Sequence, residues 1–100
     1  MKISKRNALY QQAIDLWGEN AQIDMMVEEC AELIQALQKR KRASFLRLKV
    51  AEEIADVEIM CEQMKLIFDA QLIKKYKQDK LIRLFARIDA EKEARQCRID

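Results

Sequence analysis

Val27-Glu28-Glu29-Cys30-Ala31-Glu32-Leu33 and Ala51-Glu52-Glu53-Ile54-Ala55-Asp56-Val57 are the two stretches that decide the architecture of this chain. Both lie inside long runs of periodic apolar residues without glycine or proline, so both are expected in the middle of helices. At about 100° per residue, Glu29 and Glu32 leave the first of these helices on one face, in a row with Met25 and Ala36. Glu53 and Asp56 repeat the i, i+3 pair on the second, in a row with Lys49, Met60 and Ile67. Glu28 points about one helical step away, toward water.

A charged helix face is usually solvated and laced with i, i+4 ion pairs. That arrangement needs a cation one turn on, and here the residues four beyond Glu29, Glu32, Glu53 and Asp56 are Leu33, Ala36, Val57 and Met60. No basic residue occurs from 21 to 38 or from 50 to 64. Only Lys49 can reach Glu53, in the weaker order with the cation N-terminal to the anion. Unpaired like charges beside a core are costly, so either a bound cation or basic residues of other helices must neutralise them.

The chain has no histidine, which excludes a ferritin-like di-iron site with its Glu-x-x-His helices. Cys30, Cys61 and Cys97 have no close-spaced partner, which disfavours zinc. A set of carboxylates alone suits a hard cation, Mg²⁺ or Mn²⁺. Mg²⁺ held this way ordinarily keeps waters and takes further ligands from phosphate, so a phosphate-bearing substrate is expected.

Composition agrees with a helical protein. Among 100 residues, half are hydrophobic, glycine occurs once and proline never. One domain over 1–100 is expected, with a core over about 4–88. Gly18 alone cannot make a phosphate loop. No apolar run approaches the ~20 residues that span a bilayer, so no membrane partner is expected. A net charge of +2, and a Lys39-Arg40-Lys41-Arg42 run without interleaved aromatics, argue against nucleic acid. Three cysteines, two of them on apolar stripes, are expected as small buried hydrophobes of a cytoplasmic protein.

A first helix is expected over about 4–17, capped by Ser4, ended by Gly18, with Leu9, Ala13, Ile14 and Trp17 on or near one face. Asn20 is the expected cap of a second helix over about 21–39, with a core face of Ile23, Met26, Val27, Cys30, Ile34 and Leu37. Ser44 is the expected cap of a third over about 45–68, with a core stripe of Leu46, Val50, Ile54, Val57, Cys61, Met64 and Phe68. The short connection between the second and third helices makes them antiparallel. Each acidic pair lies about 8 to 11 residues from that connection, so all four carboxylates meet at one height. A fourth helix is expected from about Leu72, with Lys80, Arg83 and Arg87 in a basic row, and 89–100 is expected to fray. The second and third helices carry apolar residues on more than one side. The expected fold is therefore all-α: an antiparallel helical hairpin with flanking helices, a four-helix-bundle type completed by oligomerisation.

Glu29-x-x-Glu32 followed, after twenty intervening residues, by Glu53-x-x-Asp56 resembles the ExxE…ExxD signature of the MazG-like all-α nucleoside triphosphate pyrophosphohydrolases. Upstream Trp17-Gly18 and the apolar context of both motifs resemble that family too, over about 16–83. The resemblance implies Mg²⁺-dependent hydrolysis of a nucleoside triphosphate between its α and β phosphates, giving the monophosphate and pyrophosphate. Glu29, Glu32, Glu53 and Asp56 would be the catalytic metal ligands, with Mn²⁺ as an alternative ion. Trp17 would wall the base pocket, because an indole stacks on any nucleobase; its plainer role is a core or interface aromatic. Lys80-x-x-Arg83 resembles the family's phosphate-binding cations, where a solvated face is the plainer role. A homodimer or homotetramer would complete the bundle. The competing class is a non-enzymatic helical protein-interaction module.

Overall fold

The computed structural model describes residues 1–42 and 46–99, apart from the side chain of residue 99. Within them the chain is all-α: α1 (Ile3–Trp17), α2 (Glu19–Gln38), α3 (Arg47–Ile67) and α4 (Ala70–Ile99), with one 3₁₀ turn at Lys39–Lys41. No helix among the described residues is long and apolar enough to cross a membrane. The chain forms two compact units, Met1–Phe68 and Asp69–Asp100.

Gly18 makes the first corner. Its φ of +90° is costly for any side chain with a Cβ, and it lets the backbone turn within one residue. Its N–H donates to the Ile14 carbonyl at 2.8 Å and its own carbonyl accepts from Gln22 N–H at 3.2 Å, so one residue closes α1 and opens α2. Asn20 therefore sits inside the first turn of α2 and does not cap it, and Glu19 supplies the acid that suits the helix N-terminus. Ser4 does not cap α1 either; that helix starts one residue earlier, from Lys2, without a side-chain cap bond. The expected Ser44 cap lies outside the described residues, and α3 starts from Leu46, whose carbonyl accepts from Lys49 and Val50 N–H. Asp69 caps α4, its Oδ1 accepting from Leu72 N–H at 3.0 Å.

In the first unit α2 and α3 pack most extensively on each other, and α1 lies against both. Gln22, early in α2, meets Gln63, late in α3. Lys39, just past the end of α2, lines a hollow with Leu46 and Lys49 at the start of α3. From α1, Tyr10 and Ile14 are buried. The Tyr10 hydroxyl donates to Glu62 Oε2 at 2.5 Å, and Arg6 Nε stands 3.3 Å from the same oxygen. That bond holds the tyrosine proton and raises the Tyr10 pKa, with desolvation and the Glu62 charge acting in the same sense.

The buried seam differs from the apolar stripes expected from sequence. On α2 it follows Gln22, Met26, Glu29, Leu33 and Ala36, and on α3 it follows Glu53, Asp56, Met60, Gln63 and Ile67, all buried or half-buried. Val27 and Ile34, expected in the core, are 63% and 58% exposed, and Leu37, Leu46, Ile54, Cys61 and Phe68 are exposed as well. The seam tolerates its polar residues because Gln63 donates a side-chain amide bond to Gln22, which satisfies part of each group where solvent is excluded. Ile23, Met26 and Cys30 on α2 and Val50, Val57 and Met64 on α3 are half-buried, and the rest of each expected apolar stripe is exposed.

In the second unit, α4 continues unbroken to Ile99, where the loss of the apolar stripe led to an expectation of fraying. Its surface carries i, i+4 ion pairs, Lys75 with Asp79 at 3.3 Å and Arg95 with Glu91 at 2.9 Å. Such pairs, with Ala, Glu, Lys and Arg as good helix formers, support a helix without a core face.

Candidate metal centre

The α2–α3 seam brings Glu29, Glu32, Glu53 and Asp56 together. One carboxylate oxygen from each lies within 4.8 Å of the others. Opposed ligands of a hexacoordinate Mg²⁺ stand ~4 Å apart at a metal–oxygen distance of ~2.1 Å, so four oxygens this close can share one cation after a small inward shift. The burial is graded across the ring. Glu53 is 2% exposed, Glu29 and Asp56 are half-buried, and Glu32 faces water. The ring therefore has a closed side against the helices and an open side through which waters and a ligand can enter. Glu28 is exposed.

Lys49 reaches Glu53, its Nζ 2.8 Å from Oε1, and this bond and the surrounding acids raise the lysine pKa. It is the only cation paired with the ring among the described residues; no ion pair there reaches Glu29, Glu32 or Asp56. Glu53 Oε2 and Glu29 Oε2 are buried with no hydrogen-bond partner. Buried carboxylate oxygens are expensive unless paired or bound to a metal. Desolvation, followed by the charges of Glu32, Asp56, Glu53 and Glu28, raises the Glu29 pKa above the ordinary 4.5. A divalent cation would pair the two orphaned oxygens and offset the like charges, and the donor set, oxygens only, is the hard one that Mg²⁺ or Mn²⁺ takes.

Trp17 lies outside the core. It is 64% exposed and borders two surface hollows, one shared with Ala21, Gln22 and Met25, the other with Leu9, Tyr10, Ile59 and Gln63. Met25 stands one helical turn before Glu29, so the first hollow adjoins the ring on α2. Lys80 and Arg83 are exposed on α4, in the second unit. Sequence reasoning missed the buried Gln22–Gln63 pair; the signal was available, because both glutamines fall on the heptad rows of the acidic pairs. It also missed a hollow of about 310 Å³ on the other side of the ring, bounded by Glu32, Gln35, Ala36, Lys39, Leu46, Lys49 and Glu53. Cys61 and Cys97 are exposed and Cys30 half-buried, all three as free thiols, against the expectation of buried hydrophobes.

Compared with protein-family models, curated proteins and solved structures, the chain finds no match.

Proposed function

We propose that the protein is a Mg²⁺-dependent nucleoside triphosphate pyrophosphohydrolase of the MazG-like kind. The convergence of four carboxylates, from an ExxE and an ExxD pair, on one half-buried locus carries this proposal. Glu29, Glu32, Glu53 and Asp56 hold the cation, with Mn²⁺ as a substitute. When bound, it supplies Lewis-acid polarisation of phosphoryl oxygens and lowers the pKa of the attacking water. A carboxylate of the ring accepts the proton of that water as its oxygen bonds to the α phosphorus. The bond from the α phosphorus to the α–β bridging oxygen breaks, and the bridging oxygen leaves with the bonding pair as pyrophosphate. The exposed indole of Trp17 offers a face for the base to stack on. The family resemblance would assign the β and γ phosphates to Lys80 and Arg83, which lie in the second unit.

In this proposal α2 and α3 form an antiparallel hairpin, and a second copy completes the four-helix bundle over the exposed Val27, Ile34 and Ile54. A homodimer or homotetramer is therefore expected, in a cytoplasmic setting that keeps the free thiols reduced. Sedimentation at micromolar concentration should show a dimer or larger species; a monomer whose cooperative unfolding is independent of concentration removes this part. Pyrophosphate release, assayed with Mg²⁺ over a panel of nucleoside triphosphates, tests the activity itself. Turnover that is lost with chelator is expected. A chain that releases none with any nucleotide is instead a helical interaction module using the same apolar faces.

A further inference from the structure

We propose that the hollow of about 310 Å³ beside the carboxylate ring is an anion pocket for the pyrophosphate end of the substrate, with Lys39 and Lys49 as its cations. The inference rests on the metal-dependent activity above and assigns the direction in which the substrate lies. Glu32 and Glu53 belong to both the ring and the wall of the hollow, so an anion there sits directly beside a cation held by the ring. Glu53, 2% exposed with its Oε2 buried and unpartnered, is a ring member that also lines the hollow, so a cation it holds lies at the hollow's wall.

The wall composition is asymmetric about the ring. On the Trp17 side the neighbouring hollow is bordered by Trp17, Ala21, Gln22 and Met25, without a basic residue. On the far side, Lys39 is the first cation after a run of α2 that has none from 21 to 38. It lies seven residues beyond Glu32, ~10 Å along the axis, which is the reach of a polyphosphate tail extending from the ring. Lys49 spends one donor on Glu53 and keeps two N–H groups for another acceptor, since an ammonium has three. Gln35 adds a neutral amide donor and Ala36 a small floor that leaves room. The hollow, about 310 Å³, has room for pyrophosphate. The order along the seam is then an indole and apolar wall for the base, the carboxylates for the α phosphorus, and the lysines for the leaving group.

The test is calorimetric titration of inorganic pyrophosphate into the full chain with Mg²⁺ present, together with a separate Mg²⁺ titration. Lys39→Gln should weaken pyrophosphate binding about ten-fold, the loss expected for one charge-assisted contact, while Mg²⁺ binding stays at the wild-type level. Lys65→Gln, an exposed charge loss late in α3, should leave both unchanged. Lys49→Arg should keep pyrophosphate binding within about three-fold, whereas Lys49→Gln should weaken it as Lys39→Gln does. Mg²⁺ binding with equal pyrophosphate affinity in wild type and Lys39→Gln overturns the pocket and leaves the metal centre standing. Absence of Mg²⁺ binding in the wild type overturns the metal centre and the pocket with it.

Discussion

Asp56→Asn is expected to cut pyrophosphohydrolase turnover by about 100-fold or more, the scale of losing one preorganised electrostatic element. Asparagine keeps the side-chain shape and the helix, and removes one charge from a ring whose oxygens lie within 4.8 Å of one another. The protein should remain folded, because one of several mutually repelling carboxylates is gone. Glu28→Gln is the matched control. Glu28 is exposed and contributes no oxygen to the ring, so its loss should cost far less. Steady-state kinetics on both variants, with circular dichroism to confirm folding, decides the matter. Comparable losses from the two would mean that the ring is not what catalyses.

Glu29→Gln should raise stability near neutral pH when no metal is bound. The Glu29 pKa is raised in the folded protein by desolvation and by the charges of Glu32, Asp56, Glu53 and Glu28. A carboxyl with a raised folded pKa contributes stability that is fully present below its unfolded pKa and is lost as pH rises through the folded pKa. In chelator, the wild type should therefore lose thermal stability through this group as pH rises above the ordinary carboxylate value of 4.5. Glutamine cannot ionise, so the variant should have the higher midpoint near neutrality, and the two should converge in acid. Millimolar Mg²⁺ should raise the wild-type midpoint, since it binds the native state alone, and should raise the variant's much less. Thermal melts across pH, with and without Mg²⁺, check each part. A variant less stable than wild type at neutral pH in chelator would show that Glu29 is held by partners and is not strained by neighbours.

The two acidic motifs were readable from sequence because side-chain direction on a helix is fixed by periodicity alone. Glu29, Glu32, Glu53 and Asp56 had no cation at i+4, and the structure brings them together. The core face was not readable in the same way. Counting apolar residues favours the Ile23, Met26, Val27, Cys30, Ile34 and Leu37 side of α2, yet of these Met26 alone joins the seam, Ala36 and Gln22 are buried, and Val27 and Ile34 are exposed. Which stripe a helix buries depends on what its neighbour presents, and α3 presents Glu53, Met60 and Gln63. A glutamine satisfied by another glutamine costs little to bury, but neither reveals this until its partner is known. The caps failed for a related reason. Ser4 and Asn20 have strong local preference, but α1 begins from Lys2 with Ser4 already inside it, and Gly18 fixes the corner so that α2 begins before Asn20 can act. Lys39 and Lys49 look like a helix end and an ordinary surface residue in sequence; only the closing of α2 on α3 places them around one hollow.

The claim on which the rest depends is that the four carboxylates bind a divalent cation. Calorimetric titration of Mg²⁺, then Mn²⁺, into the wild type, Asp56→Asn and Glu53→Gln measures it without reference to any reaction. Saturable binding by the wild type is expected, weakened by about ten-fold or more in each variant, because each removes one ligand charge from the ring. A wild-type chain that binds neither cation, alone or with a nucleoside triphosphate present, would contradict the account.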